Sequence, residues 1–122
     1  MDEDGQTPLY VAAGENRIEF VQLFIENGAA IDLTGNTTPF QIACAFNYYD
    51  IADVLYRAGA QVNYADSDGR TALFYATVKQ NKKLISYLLS IGANEDIIDN
   101  EGIHLKDLSN DEIRKKLYDE LY

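Results

Sequence analysis

The chain has 122 residues, which is enough for one domain with one continuous core. Twenty acidic side chains face ten basic ones for a net charge of −10, a balance that repels nucleic acid and anionic membranes and attracts a basic partner. One cysteine, Cys44, excludes an internal disulfide and points to a reducing, cytoplasmic setting.

The first ten residues, MDEDGQTPLY, are acidic and lack an apolar run, so no secretory leader is expected there. From residue 4 the chain begins to repeat. DGQTPLYVAA (4–13), GNTTPFQIAC (35–44) and DGRTALFYAT (68–77) align Thr7 with Thr38 and Thr71, and Ala12 with Ala43 and Ala76, at spacings of 31 and 33 residues. Each threonine stands where a helix cap is wanted, and Pro8 and Pro39 suit a first helical turn, where the missing N–H has no partner to lose.

A second block follows each first block at constant distance: RIEFVQLFIENGAAID (17–32), YYDIADVLYRAGAQVN (48–63) and KKLISYLLSIGANEDI (82–97). In the first copy Ile18, Val21, Phe24 and Ile25 form one apolar stripe with Glu19, Gln22 and Glu26 between them. Tyr56 and Tyr87 fall on the same stripe in later copies and read as core. The glycines 28, 59 and 92 stand where a left-handed helix end is expected. Residues 98–122 read as a degenerate fourth unit. Ile103-His104 stand where Thr-Pro would be expected, and Ile113, Leu117 and Leu121 form the stripe of a capping helix.

Two blocks held in one register over three copies resemble the ankyrin repeat family, through G-x-T-P-L-x-x-A-A followed by a helix and G-A-x-[VI]-[ND]. The resemblance implies an all-α solenoid of stacked helix-turn-helix units with protruding hairpin-like loops. It forms one domain, 1–122, with repeats at about 2–33, 34–64 and 65–97 and a cap at 98–122. A repeat unit buries its stripe only against a neighbour, so the absence of a polar cap before the first repeat means either that the sequence is a piece of a longer array or that this end face is exposed, in which case Val11, Val21 and Ile25 are candidates to pack on something else. The expected state is a monomer, with a weak dimer through that N-terminal face as the alternative.

No catalytic constellation, metal cluster or cofactor signature is found. His104 is the single histidine, and Cys44 occupies a small-residue packing slot. Asp66-Ser67-Asp68-Gly69 lacks the later glutamate of a calcium loop and the second glycine and lysine of a phosphate loop. The family resemblance instead implies a non-enzymatic module that binds another protein through loop tips and the concave face of the first helices. A small acidic inhibitor of a basic enzyme or toxin is the competing reading. The loop-tip candidates are Glu3, Asp4, Gln6, Thr34, Thr37, Tyr64, Asp66, Ser67, Asp68 and Arg70. Those from the first helices and their turns are Tyr10, Glu15, Gln41, Phe46, Tyr48, Phe74 and Lys79. Residues 1–64 carry nine acids and two bases, so a basic partner is expected near the first two repeats.

Overall fold

A computed structural model describes residues 7–32 and 36–122. Helices come in pairs: α1 (Pro8–Gly14) with α2 (Ile18–Glu26), α3 (Pro39–Ala45) with α4 (Tyr49–Arg57), and α5 (Ala72–Val78) with α6 (Lys82–Ser90). A 3-10 helix (Leu105–Ser109) and α7 (Asp111–Leu121) follow. No strand is present among the described residues, where Ile98 and His104 form an isolated bridge.

Each first helix starts on the expected threonine. The hydroxyl oxygens of Thr7, Thr38 and Thr71 accept from the backbone N–H of Tyr10, Gln41 and Phe74 at 3.1, 3.1 and 3.4 Å. Second helices end on Gly28, Gly59 and Gly92 at φ +82°, +104° and +100°, and the next N–H returns to a carbonyl of the last turn. Asn16, Asn47 and Gln80 also take positive φ, at 58°, 65° and 56°, and there the chain reverses between paired helices.

The core lies between the first-helix row and the second-helix row. Leu9, Phe40, Leu73, Ala43 and Ala76 fill it from one side, and Val21, Ile51, Leu55, Leu84 and Leu88 from the other. The alanines let α1, α3 and α5 approach closely. Cys44 is fully buried in this core, which pushes its thiol pKa up and leaves it protonated. Val21 is buried inside the first unit rather than offered at the N-terminal face. Phe20 and Leu23, each 48% exposed, are the apolar side chains left open there.

Tyr56 departs from the expectation of a core residue and is exposed. Its ring stays 36% exposed while meeting the Tyr87 ring of the next unit edge-on at 6.3 Å. Tyr87 does bridge layers: its hydroxyl donates to Asp53 at 2.8 Å, and its ring packs edge-on against Tyr49.

The fourth unit sits in a clearer register than its sequence announces. Asp99, Gly102 and His104 repeat Asp66, Gly69 and Thr71 at a spacing of 33 residues. Asp99 N–H donates to Ile103 O as Asp66 N–H donates to Arg70 O, both at 2.9 Å. It is therefore His104, and not Ile103 as expected from sequence, that takes the threonine's cap position, and its own N–H is held by the Asp107 carboxylate at 2.9 Å.

Candidate functional site

The sites expected from sequence divide into a buried set and an exposed set. Gln41 is buried. Its amide oxygen accepts from Thr38 N–H at 3.2 Å, and its amide nitrogen donates to Tyr64 O and Arg70 O at 2.8 and 2.9 Å. It staples the second unit to the third loop. Asp66 is buried beneath its own turn, accepting from the N–H groups of Asp68 and Arg70 at 2.9 and 3.0 Å and from the Tyr75 hydroxyl. Arg70 turns inward to Asp99 at 3.1 Å, with its guanidinium 5.4 Å above the Phe74 ring. Phe74 is fully buried with Val78, Leu108 and Leu117. These four residues, expected at a partner surface, are held between repeats and have little surface to offer.

Among the remaining loop-tip candidates, Ser67 and Asp68 are exposed at the tip, while Tyr64 is half-buried with its hydroxyl donating to Asn36 O at 3.1 Å. Asn36 accepts from Ser67 N–H at 2.8 Å, and Asn100 donates to Ser67 O at 2.6 Å, so adjacent tips are tied in series. Tyr10 is half-buried, and its hydroxyl accepts from Thr37 at 2.8 Å. Glu15 is exposed and faces Arg17 across 3.7 Å, a contact that water screens. Glu3, Asp4, Gln6 and Thr34 lie outside the described residues.

At the opposite end of the first helices, Phe46, Tyr48 and Lys79 come together. Phe46 ends α3, Tyr48 begins α4 and Lys79 ends α5. The Phe46 and Tyr48 rings stack at 6.0 Å. The end of α7 completes the group. Tyr122 meets Phe46 edge-on at 6.1 Å and Tyr118 at 5.1 Å. The Lys79 ammonium sits 4.2 Å from the Tyr122 ring centroid and 5.6 Å from that of Phe46. Partial burial holds the Lys79 pKa below its ordinary value, and burial raises that of the Tyr122 phenol.

The result is a ledge of four rings, two of which, Phe46 and Tyr122, carry the Lys79 ammonium. Phe46, Tyr118 and Tyr122 keep 41%, 43% and 38% of their surface exposed. Tyr118 and Tyr122 were not legible as part of it, because nothing local in the sequence tells where the last helix runs. Rings of this kind stack against guanidinium groups or other aromatics and fill apolar pockets, which is the chemistry of a protein contact. The described residues hold no cluster of three or more metal-ligating side chains. None of their helices is long and apolar enough to cross a membrane.

The family model "Ankyrin repeats (3 copies)" matches residues 1–66 and 34–100. Human transient receptor potential cation channel subfamily A member 1 is 34% identical, over 84% of this chain and 13% of its own length. The Danio rerio protein named for a palmitoyltransferase, ZDHHC13, is 34% identical over 83% of this chain and 16% of its own. Yeast p28, named as a 26S proteasome regulatory subunit, is 30% identical over 93% of this chain and 52% of its own. The chain thus spans about half or less of the length of these relatives. With the repeat register, the paired helices and the family match in agreement, this chain belongs to the ankyrin repeat family.

Proposed function

We propose that this chain is a protein-binding module whose principal contact surface is the aromatic ledge of Phe46, Tyr48, Tyr118 and Tyr122 with its Lys79. Ankyrin repeats are generally protein–protein interaction modules. The observation that carries the location is the exposure of three large rings that pack on one another rather than into the core. Such rings lose little rotamer freedom on binding and desolvate well, so they anchor interfaces. Glu15, exposed at the C-terminal end of α1 and so on the ledge's side of the first helices, adds a polar contact at the rim, while Ser67 and Asp68 on the loop tips form a separate polar surface at the other end.

A basic partner fits the charge. Residues 1–64 hold nine of the twenty acids and two of the ten bases. Guanidinium groups stack on aromatic faces, and the net negative charge of the chain speeds the approach of a basic partner.

The test compares partners captured from cells of the source organism by wild type and by the Phe46→Ala/Tyr118→Ala variant, quantified by mass spectrometry. A specific partner should fall by at least about tenfold with the variant, as for loss of an aromatic anchor. It should be retained by Ser90→Ala, an exposed change on a second helix. Equal capture by both variants, with unchanged circular dichroism, refutes the ledge as the site.

A further inference from the structure

The outer face of α2 and the outer face of α6 carry complementary halves of the contact that joins one unit to the next. Phe20 occupies the slot of Ile51 and Leu84, which are 1% and 0% exposed in the next two units, yet Phe20 is 48% exposed. Nothing precedes α2 to cover that face among the described residues. At the other end, Ile85 occupies the slot of Val21 and Ala52, both fully buried, and is itself only partly covered. Ile85, Leu89 and Lys82 line a cleft of about 930 Å³ that remains because α7 packs on α5 and the 3-10 helix.

Inside the chain, the second and third units show how one second helix meets the layer before it. Lys83 points back to place its ammonium 4.3 Å from the Tyr49 ring centroid. Tyr87 points back to Asp53, Tyr49 and Tyr56. In the same slots α2 carries Glu19 and Leu23, both exposed. The slots they would meet are those of Tyr49 and Tyr56, which α6 fills with Lys82 and Leu89. The charges match as well: α2 holds Glu19 and Glu26 with no base, and α6 offers Lys82 at the cleft, Lys83 being turned back onto Tyr49.

We infer that the open α2 face of one copy docks into the α6 cleft of another, Phe20 against Ile85, Leu23 against Leu89 and Glu19 against Lys82. The contact is head-to-tail, so it does not close on a dimer and grows with concentration. The net charge of −10 opposes it, and moderate salt shortens that repulsion more than it weakens the close pair.

The test is sedimentation of the whole chain at about 0.15 M salt and concentrations up to about 1 mM. Wild type should show mass rising beyond a dimer. Phe20→Glu and Leu89→Glu change exposed positions and should each remain monomeric and folded by circular dichroism. Mixed together, they should form a dimer and nothing larger, because Phe20→Glu keeps the cleft and Leu89→Glu keeps the head. A wild type that stays monomeric overturns the inference. So does loss of association with Phe20→Glu but not with Leu89→Glu, which would mark a head-to-head pair, and so does failure of the two variants to complement.

Discussion

Replacing Gln41 with methionine keeps side-chain volume and removes three hydrogen bonds. In the wild type these join Thr38 N–H, Tyr64 O and Arg70 O at 3.2, 2.8 and 2.9 Å. A typical internal hydrogen bond contributes about 1 kcal/mol net, and a buried partner left without one costs about 1–3 kcal/mol. The bond to Arg70 O is buried, whereas that to Tyr64 O is half-buried. The expected loss is therefore about 3 kcal/mol, a large share of the 5–15 kcal/mol that holds a domain together. With a urea slope of about 2 kcal/mol/M, the unfolding midpoint should fall by about 1.5 M. Gln41→Glu should cost more, since a carboxylate offers no donor to the two carbonyls and repels them. Urea titration followed by circular dichroism reads both. A loss below about 1 kcal/mol for Gln41→Met, or a Gln41→Glu variant as stable as wild type, would refute the staple and return Gln41 to the surface role expected from sequence.

Three further changes probe the backbone and the buried network. Gln80→Gly should stabilise by about 0.5–1 kcal/mol in thermal unfolding, because Gln80 holds φ 56° where a side chain is strained; a loss of stability would contradict that strain. Gly69→Ala should destabilise by about 2 kcal/mol or more, since the new Cβ would lie 2.6 Å from Asn100 Oδ1 at φ +76°, and an unchanged melting temperature would refute the close approach. Burial and then the bond to Asp66 raise the Tyr75 phenol above its ordinary value near 10. Its contribution is therefore complete below that value and lost as pH climbs from there toward the folded pKa, while the unfolded phenol ionises freely. Stability should decline above about pH 10, more shallowly in Tyr75→Phe; parallel curves would show that the phenol is not held neutral.

The register, the threonine caps and the glycine helix ends were legible because each is a local requirement of one residue type. What the register did not reveal was the direction in which a slot faces. Asp66 and Arg70 carry charge and sit at a turn, so they read as exposed, yet their side chains satisfy backbone N–H groups and an acid in the following unit. Phe74 reads as a surface aromatic only if the next layer is left out, and it is Leu108 and Leu117 that cover it. Asn16 and Asn47 did hold a signal for the positive-φ turn, since asparagine tolerates that region. Gln80 in the third copy hid it.

Both candidate surfaces trace to one local difference in the fourth unit. From cap to second helix the third unit takes 11 residues, Thr71 to Lys82, and the fourth takes seven, His104 to Asp111. The shorter span leaves room for a five-residue 3-10 helix and no reversing residue: Asn110 joins the two at φ −80°, ψ 120°, where the other units use a positive φ. Without that reversal α7 does not enter the second-helix row. It crosses α5 instead, burying Leu117 on Phe74 and Val78 and carrying Tyr118 and Tyr122 to Phe46 and Lys79. The same path leaves Ile85 and Leu89 of α6 beside an open cleft. The ledge and the cleft are thus coupled through one helix, and a partner that drew α7 off the ledge would also change the walls of the cleft.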